Sequence, residues 1–327
     1  MDDLAAALER LAPELAPGGT GIEGLVQLSG GASLQTFAFA VTSPAASVPL
    51  ILRRRSVPVA EGATAVPLST EAALISAAGA GGAPVAELIR LAEPEDGLGE
   101  ALIVRRVDGE TLGRRIVRGE RFAQVRPRLA GQCGEILRAI HATPQPAGAR
   151  LATSDARGEL DRYEAVYRAS GAERPVLELA LQHLRSHAPA TVAPKLLHGD
   201  FRTGNLMIDP EQGVVAVLDW ELSHLGDPAE DLGWLCVNSW RFGASDRPVG
   251  GFGDYADLLT GYGDPDMTLA RVRYWQMLGS LKWGVMCLMM FAGAGGPSGE
   301  AALERHVIGR RVSETEIDIL ALLEAGR

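Results

Sequence analysis

The stretch "LLHGDFRTGNLMID", residues 196–209, sets a histidine, an acid, two glycines and an asparagine between two apolar runs. A plain surface loop has no need of that mixture. Asp200 and Asn205 stand five positions apart on the loop that leads into the strand-like "NLMID". A second apolar run, "VVAVLD", ends on Asp219, fourteen positions after Asn205. Between the runs, "PEQG" carries the residue types of a hairpin turn. Antiparallel strands joined there bring Asn205 and Asp219 side by side, with Asp200 facing them from the loop. Three oxygen-bearing side chains then converge on one spot. Such ligands suit Mg2+, a hard cation that keeps several waters and leans on one or two carboxylates plus substrate phosphates.

Enzymatic phosphoryl transfer in protein kinases uses the same parts. A catalytic-loop Asp accepts the proton of the substrate hydroxyl, an Asn five residues on holds one metal, and a later Asp holds metal too. Asp200 stands at the place of the base, and Asn205 and Asp219 at those of the metal ligands. The first half should then supply a glycine-rich phosphate cover and a cation on the third strand. In "LSGGASLQTFAF", residues 28–39, Gly30 and Gly31 lie between two strand-like runs, where backbone N–H groups can approach phosphate oxygens. Ser33 and Thr36 add hydroxyl donors. "LILRRR", residues 50–55, ends the third strand, and alternation turns Arg53 and Arg55 to one face and Arg54 to the other. Arg53 lies at the place of the kinase lysine, with Glu71 on the following helix as its ion-pair partner.

The texture around these motifs changes once. Between Gly24 and Arg106 the runs "GLVQLSG", "QTFAFAVT", "VPLILRRR", "APVAELIRL" and "EALIVRRV" read as strands. The helical "STEAALISAAGAG" interrupts them, with Ser69 or Thr70 as N-cap and Gly79 or Gly81 near its end. After "VDGETLG" helical spacing dominates: "RFAQVRPRLAGQCGEILRAIHATP", then segments near 157–168 and 173–187. Beyond the two short strands of the central motif, helices are expected at roughly 228–238, 253–262, 267–291, 298–307 and 312–325. The fold class is α+β. Residues 1–106 form a small antiparallel-sheet lobe with one helix, and residues 107–327 a larger helical lobe, with a ligand-binding cleft between them.

Composition bounds the rest. The 327 residues are 46% apolar and 22% charged, as in an ordinary soluble globular protein. Cys133, Cys236 and Cys287 are too few and too far apart for a disulfide framework or a CxxC metal motif, which favours a reducing cytoplasm. The start, "MDDLAAALERLAPELAPGG", carries acids where a signal peptide carries positive charge; it reads as a short amphipathic helix. The most apolar segment, "YWQMLGSLKWGVMCLMMFAGAGG", contains Gln276 and Lys282, and its unbroken apolar part falls short of the roughly 20 residues of a membrane span. Residues 1–150 hold 15 basic and 16 acidic residues, and residues 151–327 hold 16 and 25. An acidic second half argues against a nucleic-acid or anionic-membrane surface there.

On "HGDFRTGN" and "LDWELSHLGDPAEDLGWL", supported by "SGGASLQTF" and "VDGETL", the chain resembles the aminoglycoside phosphotransferase and choline kinase-like family, which shares the protein-kinase-like fold. The motifs run from about Gly24 to Leu235. The resemblance implies Mg2+-dependent transfer of the γ-phosphoryl group of ATP or GTP to a small-molecule hydroxyl, the base lying against the connection near Arg105 to Val107. The "LDWELSHLGDP" string resembles the branch found beside acyl-CoA dehydrogenases, which implies a hydroxyacyl or other metabolic acceptor. Alternatives are an aminoglycoside acceptor, which an acidic helical lobe suits, and a pseudokinase that binds nucleotide without catalysis. Two departures stand out: Arg53 where many relatives carry Lys, and Arg105 where many carry Glu.

Other residues read more plainly. His198 braces the catalytic loop, since no second His stands at ligand spacing. Glu221 is either a neighbour of the metal or an exposed loop acid. Asp227 caps the next helix, and Asp231 on that helix either hydrogen-bonds the loop, as the resemblance in fold implies, or belongs to the ordinary polar face of the helix. The basic "RRIVRGERF" reads as a solvated helix face. The aromatic and Met stripe within 274–291 reads as core, with a wall of the acceptor pocket as its rival.

Overall fold

The computed structural model describes residues 2–28, 34–55, 65–292 and 300–325. Helix α1 (Asp2–Leu15) buries Leu4, Leu8, Leu11 and Leu15 on one stripe. The turn after it needs Gly19, because a Cβ there would lie 2.1 Å from the Ala12 carbonyl oxygen. Strands β1 (Gly21–Leu28), β2 (Leu34–Thr42) and β3 (Ser47–Arg55) follow, then helix α2 (Leu68–Ala80) and strands β4 (Leu88–Leu91) and β5 (Ala101–Arg105). The five strands form one sheet in the order β1-β2-β3-β5-β4, each neighbouring pair antiparallel.

Strand alternation divides this lobe into two packed layers. Phe37, Phe39, Leu50, Leu52 and Ile103 turn toward α1. Ile51, Leu102 and Val104 turn toward α2. Arg53 is paired in register with Thr36 and Leu102, so it emerges on the α2 face, where Glu71 waits.

Two expectations need correction. Neither Ser69 nor Thr70 caps α2; both lie inside its first turn. The helix starts at Leu68, directly after Pro67, and the Leu68 N–H donates to Glu100 Oε1 at 2.9 Å, so the cap comes from a residue 32 positions away. The strand read in "APVAELIRL" keeps only Leu88–Leu91, and a register shift between Leu88 and Arg90 shortens its ladder.

The rest is mainly helical: α3 (Gly113–Arg118), α4 (Arg126–Ala142), α5 (Ala156–Ala169) and α6 (Pro175–Ser186) precede four short strands. Of these, β6 (Lys195–Leu197) pairs with β9 (His224–Gly226), and β7 (Leu206–Asp209) with β8 (Gly213–Val217). Helices α7 (Ala229–Leu235), α8 (Tyr255–Tyr262), α9 (Leu269–Ala292), α10 (Glu300–Gly309) and α11 (Val312–Ala325) complete the chain. The central α9 buries Tyr274, Trp275, Met277 and Trp283, while Met289 and Phe291 emerge at its end. The basic run at α3 buries Ile116 and Val117 and leaves Arg114, Arg115 and Arg118 in solvent. All three cysteines are buried thiols. Among the described residues no helix is long and apolar enough to cross a membrane. The architecture is α+β, an antiparallel-sheet lobe followed by a helical region.

Candidate functional site

Below the sheet, the chain leaves β6 through a turn that only glycine fits. Gly199 has φ +81°, and a Cβ there would stand 2.2 Å from the Leu222 carbonyl oxygen. Asp231, buried on α7, accepts the N–H groups of His198 and Gly199 at 2.8 and 2.9 Å. It also accepts His141 Nε2 at 3.1 Å. Burial alone would raise the Asp231 carboxyl, but His141 and these backbone donors hold it below the usual carboxylate range. The buried His198 ring accepts the Asp200 N–H at Nδ1 and donates from Nε2 to the Leu218 carbonyl, at 3.2 and 3.0 Å, which assigns a neutral imidazole. Burial lowers its pKa, in keeping with that tautomer.

On this brace sits Asp200. Its Oδ1 accepts Trp234 Nε1 at 2.7 Å and its Oδ2 accepts Asn205 Nδ2 at 2.7 Å. Arg202 Nε lies 3.1 Å from both oxygens. The β7–β8 pairing continues one step further, the Leu218 N–H donating to the Asn205 carbonyl at 2.8 Å, which leaves Asn205 and Asp219 adjacent. Asp219 adopts φ 68° and ψ 68°, a left-handed conformation that costs most residues about 1–2 kcal/mol and that Asp tolerates better. Its Oδ1 accepts Arg53 Nη2 at 2.8 Å. Arg53 also forms an ion pair with Glu71, which is fully buried. Burial pushes the Glu71 carboxyl up while Arg53 pulls it back.

A cavity of about 510 Å³ opens between the sheet lobe and the helical lobe. Ile51, Ala86 and Val104 line it from the sheet lobe, and Met207 and Val217 from the helical lobe, which makes an apolar slot. Arg53, Asn205 and Asp219 lie in its lining, together with the connection Arg105–Gly109. Along that connection the Arg105 N–H donates to the Glu87 carbonyl and that of Arg106 to the Pro49 carbonyl, whereas the Val107 N–H has no backbone partner among the described residues. The Arg105 side chain pairs outward with Glu87.

The structure thus brings together Asp200, Asn205, Asp219, Arg53 and Glu71, and places Arg105, Val107 and Thr36 on the cavity wall. Gly30, Gly31 and Ser33 lie outside the described residues. Asp227 does accept the Ala229 N–H at 3.0 Å at the start of α7, and it also holds Arg271 and Trp275 Nε1. Sequence reasoning missed the two donors Arg202 and Trp234 on Asp200, and the second contact of Arg53 on Asp219. The signals were there: Arg202 is part of "HGDFRTGN", and Trp234 stands three residues after Asp231.

The donor set fits a hard divalent cation. Asn205 Nδ2 is spent on Asp200, so its amide oxygen is the atom left to act as a ligand beside the neighbouring Asp219 carboxylate. Among the described residues no three His, Cys, Asp or Glu form a metal-holding cluster. One amide oxygen and one carboxylate suffice where substrate phosphates and water complete the shell.

The sequence profile of the phosphotransferase enzyme family, APH, matches residues 24–268. The chain belongs to that family. Acyl-CoA dehydrogenase family member 10 of Mus musculus is 40% identical over 95 residues, 29% of this chain but only 8% of that protein. Spectinomycin phosphotransferase, solved with ADP and spectinomycin, superposes with a TM-score of 0.64 at 13% identity over 91% of this chain and 94% of its own. Choline kinase from Cryptosporidium parvum Iowa II gives 0.57 at 11% identity over 93% and 89%. At such identities the likeness is one of fold.

Proposed function

We propose that the chain is a small-molecule kinase that transfers the γ-phosphoryl group of ATP or GTP to a hydroxyl of a metabolic acceptor. The observation that carries this reading is a pair of adjoining contact runs, from Glu71 through Arg53 to Asp219 and from Asn205 to Asp200, that come together where Asn205 and Asp219 are neighbours. Residues 1–106 would cover the nucleotide and residues 107–327 carry the catalytic loop, the metal loop and the acceptor site. The base occupies the apolar slot, reading the Arg105 carbonyl and the Val107 N–H. Gly30, Gly31 and Ser33 cover the phosphates, and Arg53, held by Glu71, neutralises phosphate charge. Asn205 and Asp219 would hold Mg2+, which would offset the negative charge that develops on the phosphates.

Asp200 orients the acceptor hydroxyl. The acceptor oxygen forms a bond to the γ-phosphorus as the bond to the departing nucleoside diphosphate breaks, and the hydroxyl proton passes to Asp200. The transition state is loose, so alignment contributes more than early deprotonation. Purified protein with MgATP or MgGTP should phosphorylate an acceptor from a panel of amino alcohols, sugars, aminoglycosides and hydroxyacyl thioesters. Asp200→Asn should lower kcat by about 10²–10⁴-fold and leave the nucleotide Kd within about threefold. Wild-type turnover in that variant would remove Asp200 from the mechanism.

A further inference from the structure

Beyond Asp200, outside the nucleotide cavity, three tryptophans stand in a row. The Trp234 and Trp240 rings are 5.2 Å apart and those of Trp240 and Trp283 5.0 Å apart. The Trp234 N–H is spent on Asp200. Trp240 Nε1 and Trp283 Nε1 are buried and have no hydrogen-bond partner among the described residues. Native proteins rarely leave two neighbouring buried donors unpaired, and such groups in a row that begins at Asp200 point to a ligand that completes them.

The faces of the same rings are already taken. Lys282 Nζ lies 4.8 Å from the Trp234 ring, Arg202 Cζ 4.9 Å from Trp240, and Arg311 Cζ 5.9 Å from Trp283. An aromatic cage attracts an ammonium through open π-faces. Here each indole carries a protein cation, and a second positive charge would meet repulsion. Arg202 binds Asp200 through Nε alone, so its terminal nitrogens remain a donor fork beside Trp240. Two nearby acids are occupied: Glu230 by His224 at 3.3 Å and Lys282 at 3.7 Å, and Glu314 by Arg311 at 2.9 Å. Asp318 takes the Asn238 amide at 2.7 Å through Oδ1 while its Oδ2 is buried with no hydrogen-bond partner among the described residues, and burial pushes its carboxyl up toward the neutral form. The wall offers donors and positive charge.

We infer that this wall selects an acceptor bearing an oxyanion, a carboxylate or a phosphate, held by Arg202, Trp240 and Trp283, and rejects acceptors that carry an ammonium group. The inference rests on the phosphotransfer reading, since it takes Asp200 as the point the acceptor hydroxyl must reach. Acceptor entry then moves Arg202 from Asp200 onto the oxyanion, which frees a carboxylate oxygen for the hydroxyl.

The test is binding, so it stands apart from turnover. Full-length protein labelled with 15N-tryptophan and saturated with MgADP is titrated with 3-hydroxybutyrate, glycerol 3-phosphate, choline and spectinomycin. One or both oxyanion probes should shift the indole resonances of Trp240 and Trp283, identified by their loss in Trp240→Phe and Trp283→Phe, and which probe acts separates carboxylate from phosphate recognition. Trp240→Phe should weaken that probe about tenfold, the effect of one lost hydrogen bond to a charged group, and leave MgADP affinity unchanged. Arg311→Gln, at a partly exposed side chain, should let choline reach the Trp283 resonance, and it tests the charge argument if the tryptophan variants do not fold. Shifts from choline or spectinomycin in the wild type, or silence from both oxyanion probes, would overturn the inference. A protein that binds an oxyanion probe here yet transfers phosphate equally well as Asp200→Asn would refute the mechanism and leave the binding wall standing.

Discussion

At Asp200 both carboxylate oxygens are engaged before any substrate arrives, by Trp234 and Asn205 from the sides and by Arg202 across the front. The side partners fix the carboxylate plane, while in the proposed mechanism the front partner yields to the acceptor hydroxyl. Trp234→Phe removes one fixing donor and keeps the ring. It should lower kcat about 10–100-fold, the worth of a hydrogen bond to a charged group, with nucleotide Kd unchanged. In an Asp200→Asn background the same change should cost almost nothing, because residues acting as a unit are not additive. Equal losses in both backgrounds would make Trp234 a packing residue only. The order Asp200, Asn205, Asp219 was legible because a loop and a tight hairpin fix all three by local spacing. Arg202 was visible as a residue but not as a partner: spacing does not tell which donor wins a lone pair. His224, five residues past Asp219, offers a pH test. Burial would lower its pKa, but the Glu230 carboxylate outweighs burial and raises it from 6.5 to about 9. A group raised in the folded state stabilises fully below its unfolded value and loses that contribution as pH climbs through the folded one. The unfolding midpoint should therefore fall between about pH 6.5 and 9 and fall less in His224→Gln, as read by thermal melts across that range.

Elements whose partners are local were the ones that periodicity could place. The stripe of α1 and the alternation of β3 each declare their buried face within a few residues. The start of α2 did not, because the acceptor for its first N–H is Glu100, at the edge of β5 across the sheet. Ser69 and Thr70 carry the right chemistry for a cap but sit two and three positions past the cap position, Pro67, and the Leu68 amide is already held. Glu100→Ala should cost about 1 kcal/mol, and Glu100→Gln less than half of that, because a carboxamide oxygen still accepts the Leu68 N–H. Urea unfolding of the two variants measures the difference. Identical losses would assign the effect to the Arg55–Glu100 ion pair instead, which spans 3.2 Å. The β4 strand was over-read for a related reason: its register shift is set by the neighbour it pairs with, and a single strand's sequence does not contain its partner.

Across the whole molecule, Arg53 is the strut between lobes. It leaves the sheet on β3, pairs with Glu71 of α2, and reaches Asp219 at the end of the β7–β8 hairpin. The ordering of motifs implied two lobes and a cleft, and the Arg53–Glu71 pair with it. The second contact could not be read, because it depends on how closely the lobes approach. A planar guanidinium serves both acids at once, where a lysine ammonium offers a single point. Stability and catalysis through this strut can be separated. Arg53→Met alone leaves Glu71 buried without its cation, a loss of about 3–5 kcal/mol, and should lower the unfolding midpoint steeply. Arg53→Met with Glu71→Met replaces the buried pair by apolar side chains of similar length and should recover most of that stability. Turnover should not recover, because phosphate charge in the cleft and the Asp219 carboxylate have both lost their cation. Thermal melts and steady-state kinetics on the same two proteins decide it. A double variant that regains stability and more than a tenth of wild-type kcat/KM would show that the strut braces the fold and takes no part in holding phosphate.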